Sequence, residues 1–207
     1  MSYPVGRYLR LACMLAACAA SAWAGAQDIA AGLRQAEVLV GAERYKDAVA
    51  VLKTLEARTP EEQARIGVLT GTMYLGIERA AKAVDYFEEA LTQAPGNLQA
   101  ALGAARAHLQ LGQFAQARRH AQSLLAGGSP AAGHGSAQAQ YILAAIAFRS
   151  GEAAAATQRM QALRAQHPES DDVQIAYARF LVLCGDAAGA KNALERHLER
   201  QPGAAAV

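Results

Sequence analysis

The chain has 207 residues, of which 53% are hydrophobic, 18% are charged and only 6% are aromatic, with a formal net charge of +2. Residues 1–26 contain Arg7 and Arg10 but no acidic residue, so without them the 20 basic residues fall to 18 and equal the 18 acidic ones. This neutral balance argues against nucleic acid or an anionic membrane as a partner reached through bulk electrostatics. The length accommodates one domain with a sizeable core.

Residues 1–26 have the pattern of an export signal. Arg7 and Arg10 precede an apolar stretch from residue 11 to residue 20, and small residues at 22, 24 and 26 offer cleavage positions. The apolar stretch is too short to span a bilayer comfortably. These features predict an exported, periplasmic protein.

A second interpretation of the leader stays open. Leu15-Ala16-Ala17-Cys18 resembles the bacterial lipobox, in which residues 1–17 are the signal and Cys18 is the lipidated first residue. The protein would then be an outer-membrane lipoprotein that meets the membrane only through its lipid anchor. Cys184 is the only thiol expected inside the folded part, so no disulfide framework is predicted.

The segment from Gly71 to Pro95 reads as a pair of amphipathic helices. Apolar or small residues recur at helical spacing in each helix: Gly71, Tyr74 and Leu75 in the first, and Ala83, Val84, Phe87, Ala90 and Leu91 in the second. Pro95 ends the second helix because proline cannot continue it. The segment is therefore interpreted as one copy of a two-helix unit.

The pattern of the second helix recurs along the chain, with closing prolines at positions 60, 95, 130, 168 and 202. A helix-turn-helix unit at this period resembles the tetratricopeptide repeat family. The resemblance implies an all-α fold, a right-handed α-solenoid of about five units. The predicted array spans residues 27–202, with units at about 29–62, 64–97, 98–131, 137–170 and 171–204, and a tail at 203–207.

The stretch 126–136 is rich in glycine and small polar residues. It is predicted to be a flexible inserted loop, and its extra residues explain the longest interval between the prolines.

Chemical motifs are scarce. The histidines at 108, 120, 134, 167 and 197 form neither HExxH nor a paired-ligand spacing, and no nucleophile elbow or phosphate-binding loop is present. No metal site, cofactor or enzymatic activity is predicted.

The resemblance implies a partner-binding surface. In the family, the second, fifth, ninth and twelfth places of each unit face a concave groove. Transferred to this chain, those places give the candidate residues Val68, Thr72, Leu75, Leu102, Arg106, Leu109, Tyr141, Phe148, Ile175, Arg179 and Val182. An apolar floor with a few arginines suits an amphipathic helix or an extended apolar segment that carries a carboxylate.

The expected function is a non-enzymatic scaffold or adaptor that binds protein partners in the bacterial cell envelope. Its family resemblance is to tetratricopeptide lipoproteins and adaptors of pilus or secretion machinery. The alternative is a periplasmic chaperone or maturation factor that holds unfolded clients. An open apolar groove also allows self-association.

Overall fold

The computed structural model describes residues 29–126 and 133–200, and these residues are helical apart from short turns. The predicted signal (1–26, or 1–17 with Cys18) and the tail at 203–207 lie outside the described residues. The helices are α1 (29–41), α2 (Tyr45–Leu52), α3 (Pro60–Gly76), α4 (Ala80–Gln93), α5 (Leu98–Gln110), α6 (Phe114–Ala126), α7 (His134–Arg149), α8 (Ala153–Gln166), α9 (Asp171–Leu183) and α10 (Ala187–Arg200). The all-α prediction is confirmed, since the described part of the chain contains no strand.

Local sequence signals fix where several helices begin. Thr59 forms a capping box with Glu62 ahead of Pro60, which stands in the first turn of α3. The side-chain oxygen of Asn97 accepts a hydrogen bond from the backbone N–H of Ala100 at 3.0 Å. Each cap satisfies backbone donors that have no partner within the helix, so these residues set the helix boundaries.

The turn inside each helix pair needs one residue in the left-handed conformation. Gly112, Gly151 and Gly185 supply it in the last three pairs, with φ of 72°, 90° and 86°. In the first two pairs Glu43 and Glu78 adopt φ of 58° and 59° at the equivalent turn. A side chain in this region carries a steric cost that glycine avoids, so the first two turns are the more strained ones.

The helices stack in a regular order. The first helices of successive pairs contact one another: α3 contacts α5, α5 contacts α7, and α7 contacts α9. Each second helix packs on its own first helix and on the first helix of the next pair. This nearest-neighbour arrangement is an α-solenoid, as predicted.

The core is correspondingly divided along the array. Four clusters of buried side chains lie at the four junctions between the five helix pairs, the first joining α1, α2 and α3 and the last joining α7 to α10. Alanine dominates them, and Ala64, Ala83 and Ala104 have no exposed surface. Small side chains let helix backbones approach closely.

Phe87 is the largest side chain at the junction of the second and third pairs, and it is 1% exposed. Its ring lies against Gly71 of α3 and Gly103 of α5, where an added Cβ would come within 2.8 Å and 2.3 Å of ring atoms. The ring therefore fills a space that exists only because both facing residues lack a side chain.

Three boundaries differ from the sequence prediction. α3 begins at Pro60, so the second pair starts four residues before the predicted 64. α7 begins at His134, so the predicted loop 126–136 is shorter, and the fourth pair starts three residues before the predicted 137. Residues 127–132 of that loop lie outside the described part. In the two described ranges, no helix combines the length and apolar character needed to cross a membrane.

The close contact at Phe87 gives a stability prediction. We expect Gly103→Val to lower the free energy of unfolding by about 1–3 kcal/mol, because the buried ring cannot move away from the new side chain. Gly135→Val is the matched control, since Gly135 is also helical and has no atom within 4 Å of an added Cβ. Urea denaturation followed by circular dichroism measures both changes. Equal losses in the two variants would contradict the packing argument.

Candidate functional site

Two clefts lie along the first helices of the array. The N-terminal cleft has a volume of about 620 Å³ and is walled mainly by α1, α3 and α5. Arg65 forms an ion pair with Glu37 at 2.7 Å across its outer end. Val68, Leu75 and Leu102 give it apolar walls.

The C-terminal cleft has a volume of about 670 Å³ and lies between α7, α9 and α10. Ile175 and Val182 are two turns apart on α9 and are 42% and 58% exposed. Tyr141 and Leu194 also line the cleft. Exposed aliphatic side chains in a concave surface are suited to contact an apolar segment of another molecule.

Each cleft contains one arginine, and the charge of one acts on the other. Arg106 belongs to the N-terminal cleft and Arg179 to the C-terminal one. Desolvation by the cleft walls, followed by the positive charge of Arg179, lowers the pKa of Arg106 below its ordinary value. Arg106 still has an exposed surface toward solvent and stays cationic. Across the described ranges, neither arginine has a carboxylate partner.

A buried amide lies beside these arginines. The Oε1 atom of Gln138 accepts a hydrogen bond from Arg179 at 3.0 Å, and Gln138 is 2% exposed. Its Nε2 atom is buried without a hydrogen-bond partner. The hydrogen bond orients Arg179 in the C-terminal cleft, whereas Arg106 has no such side-chain partner in the described ranges.

Nine of the eleven predicted groove residues line the two clefts. Val68, Thr72, Leu75, Leu102 and Arg106 lie in the N-terminal cleft, and Tyr141, Ile175, Arg179 and Val182 in the C-terminal cleft. Leu109 lines neither cleft, because it is buried in the core between the third and fourth pairs. Phe148 also lines neither: it packs against the last core cluster, with its ring edge-on to Phe180 at 6.2 Å.

The arrangement suits recognition of a polypeptide segment. Apolar walls provide area to bury, and cationic groups in the clefts can hold a carboxylate through charge-assisted hydrogen bonds. Whether the cleft residues bind a partner stays a prediction.

Sequence profiles of the tetratricopeptide repeat match this chain over residues 75–146, 147–207 and 33–97. The matches together cover most of the chain. It belongs to the tetratricopeptide repeat family. Arrays of this family bind protein partners, so the coarse expectation of a protein-binding scaffold fits the family. Comparison with curated protein sequences gives no match.

Solved structures support the same fold at low sequence identity. The chain is similar to a tetratricopeptide repeat protein from Parabacteroides merdae, with TM-score 0.62 and 14% identity, covering 81% of this chain and 63% of that one. It is also similar to Pseudomonas aeruginosa PilF, with TM-score 0.62, 11% identity and coverages of 85% and 78%. MamA AMB-1 gives TM-score 0.54, 16% identity and coverages of 83% and 98%. At these identities the likeness establishes the fold alone.

One group of polar residues in the tetratricopeptide array escaped the sequence analysis. Glu88 of α4, His108 of α5 and His120 of α6 place their ligand-type atoms within 4.8 Å of one another. Desolvation acts to raise the pKa of the Glu88 carboxyl. The hydrogen bonds and charges of the two histidines outweigh it and hold this pKa below its ordinary value. Burial lowers the pKa of His120, although Glu88 acts to raise it. In the sequence, the repeat period is the one feature that points to this cluster, because it predicts that α5 packs between α4 and α6.

The other polar side chains are mostly explained by pairing. His197 is buried and its Nε2 lies 2.6 Å from Oδ1 of Asp171, while His134 contacts Asp172 at 2.8 Å on the surface. Burial, aided by Asp186, raises the pKa of the Cys184 thiol. Cys184 packs against the last core cluster, and a raised pKa leaves less of the reactive thiolate.

Arg149 has partners inside the array, whereas Arg106 has none in the described ranges, and the two should therefore differ in how much they contribute to stability. We expect Arg149→Gln to cost about 1 kcal/mol, because its guanidinium donates to the carbonyl oxygen of Leu109 at 2.8 Å and covers the ring of Phe114. Arg106→Gln should change stability by less than about 0.5 kcal/mol, since no partner is lost. Chemical denaturation of both variants measures the difference. A larger loss at Arg106 would show that it is structural.

Proposed function

We propose that this tetratricopeptide array is a non-enzymatic scaffold that binds an apolar segment of a protein partner in its two clefts. The observation that carries the proposal is the pair of clefts, in which exposed aliphatic residues stand with Arg106 and Arg179, two arginines that have no carboxylate partner in the described ranges. Two neighbouring guanidinium groups repel each other, and a partner's carboxylate relieves that repulsion.

The partner segment follows from the shape and chemistry of the clefts. Ile175 and Val182 project from one face of α9 and are largely exposed. An amphipathic helix or an extended strand with apolar side chains would cover them, gaining about 25 cal/mol for each Å² of apolar surface removed from water. Its acidic residue would lie between the apolar contacts, opposite Arg106.

The bacterial cell envelope is proposed as the place of action. The support is the leader-like sequence of residues 1–26, with its arginines, apolar stretch and small residues. Assembly of pilus or secretion machinery is the proposed setting, and the fold-level likeness to PilF is compatible with it. The alternative, a periplasmic chaperone for unfolded clients, differs by requiring many weakly bound sequences.

Binding of a defined peptide tests the groove. The probe is a fluorescent amphipathic helix of about 16 residues with one glutamate inside its leucine face. We expect Ile175→Ser with Val182→Ser to weaken its binding at least tenfold, because two apolar contacts are lost while the fold is spared. The matched control is Ile77→Ser with Leu198→Ser, two exposed aliphatic residues outside the clefts, which should bind normally. Fluorescence anisotropy measures the affinity.

A second comparison tests the contact between Arg106 and the carboxylate of the peptide. Arg106→Gln should weaken the glutamate peptide about tenfold and leave a peptide with glutamine at that position unchanged. Equal loss for both peptides would contradict the carboxylate contact, and equal loss in the Ile77 and Leu198 control would contradict the groove. Capture from the native envelope then separates the two functions: one stoichiometric partner supports the scaffold, a diffuse set of clients supports the chaperone, and only a second copy of the chain indicates self-association.

Labelling of the leader tests whether the protein carries a lipid anchor. If Cys18 is lipidated, metabolic labelling with palmitate should mark the protein and Cys18→Ala should abolish the label. Cys13→Ala is the matched control, because Cys13 lies in the same apolar stretch but is not preceded by the lipobox pattern. Labelling that survives Cys18→Ala rules out the lipoprotein, and a soluble periplasmic protein without label supports ordinary cleavage.

A further inference from the structure

We propose that Glu88, His108 and His120 form a binding site for one divalent transition-metal ion of the Zn²⁺ type. The three residues come from three successive helices, α4, α5 and α6, and so connect the second and third helix pairs. Within the described ranges this is the one group of three such side chains whose donor atoms converge. Two imidazole nitrogens and a carboxylate oxygen are a ligand set that Zn²⁺ accepts.

The donor atoms lie close together. Oε1 of Glu88 lies 2.9 Å from Nε2 of His120 and 3.3 Å from Nε2 of His108. Tetrahedral coordination with bonds of about 2.0–2.1 Å requires ligand atoms about 3.3 Å apart. The pair of Glu88 and His108 meets this spacing, and a shift of about 0.4 Å brings the pair of Glu88 and His120 to it. The two ring nitrogens lie within 4.8 Å of each other, and because the rings are parallel, one ring must turn for both lone pairs to meet the ion.

Two of the three proposed ligands are buried. His108 is 6% and His120 is 7% exposed, and their rings stack in parallel, with centroids 5.5 Å apart and planes 7° apart. The side chain of Glu88 is 39% exposed, which leaves one open side for the ion to enter and for a water molecule to complete its coordination.

A supporting residue orients one of the ligands. Nδ1 of His108 lies 2.6 Å from Oε1 of Gln113. Because the contacting atom of Gln113 is a carbonyl oxygen, Nδ1 must carry the hydrogen, so the lone pair of a neutral ring stands on Nε2. Histidines that bind metals are usually held in this way by a hydrogen bond from the second ring nitrogen.

This tautomer creates a conflict that a metal ion resolves. The lone pair on Nε2 of His108 faces the carboxylate oxygen of Glu88, which is also an acceptor. One divalent ion satisfies all three groups while both imidazoles stay neutral.

Zinc titration of the purified full-length chain tests the site. After treatment with a chelator, we expect one Zn²⁺ per chain in competition with a chromophoric chelator. The melting temperature should rise by about 5–10 °C at a hundredfold excess of ion over its dissociation constant. Mg²⁺ should have no effect, because it prefers oxygen ligands. Co²⁺ should give the visible absorption of four-coordinate cobalt.

Variants assign the ion to these residues. His120→Asn and Glu88→Gln should each weaken Zn²⁺ binding at least 100-fold, and Gln113→Ala should weaken it by about 10–100-fold through the orientation of His108. His197→Asn is the matched control, since His197 is equally buried against Asp171 but has no third donor, and it should bind Zn²⁺ like the original chain.

Two results would overturn the proposal. One is an original chain whose melting temperature does not respond to Zn²⁺, which leaves a cluster that shares protons only. The other is Zn²⁺ binding that persists within threefold in His120→Asn and Glu88→Gln, which places the ion elsewhere. The titration of the original chain needs no variant to fold, so the first result decides the matter on its own.

Discussion

The close approach of neighbouring helices is the constraint on which the whole array depends. An α-solenoid has no central core, so its stability is a sum of junctions between adjacent units, and each junction must be tightly packed. Alanine supplies most of that contact, as at Ala83 and Ala104, and Phe87 fills the largest gap between Gly71 and Gly103. The low aromatic content follows from this close packing, because few spaces between neighbouring helices are wide enough for an aromatic ring.

The same packing determines where the clefts lie. Each first helix uses one face for the junctions, where Ala100, Ala104 and Ala107 of α5 are fully buried, and turns another face to the cleft. Arg106 and Leu102 occupy that second face of α5. Exposed residues on the cleft faces, such as Ile175 and Val182, take no part in the core clusters, so the array tolerates aliphatic side chains and an arginine without a carboxylate partner there.

The repeat period accounts for how much the sequence could predict. Proline spacing and apolar periodicity are local, so the five helix pairs followed from them, and most of the cleft residues followed from the family resemblance that the period carries. The transferred register did not hold for Leu109 and Phe148, because these two side chains pack into the core clusters around α7, whereas Leu75 and Val182 at the equivalent places line the clefts. The early start of α7 at His134 was also hidden, since a glycine-rich stretch is locally typical of a loop. The contact of Glu88 with His120 spans 32 residues and two helix junctions, and no local spacing encodes it.

α5 connects the two chemical features of the molecule. Arg106 and His108 are two positions apart on this helix, which turns their side chains about 200° from each other around its axis. Arg106 therefore faces the cleft while His108 reaches Glu88 and His120 on the side of the second helices. The helix between them is a rigid element, so the position of the unpaired guanidinium depends on how the histidine side is held. The buried alanines of α5 hold the helix in place. Its polar residues then give each side a distinct chemistry: Arg106 lies in the N-terminal cleft, and His108 lies in the cluster with Glu88 and His120.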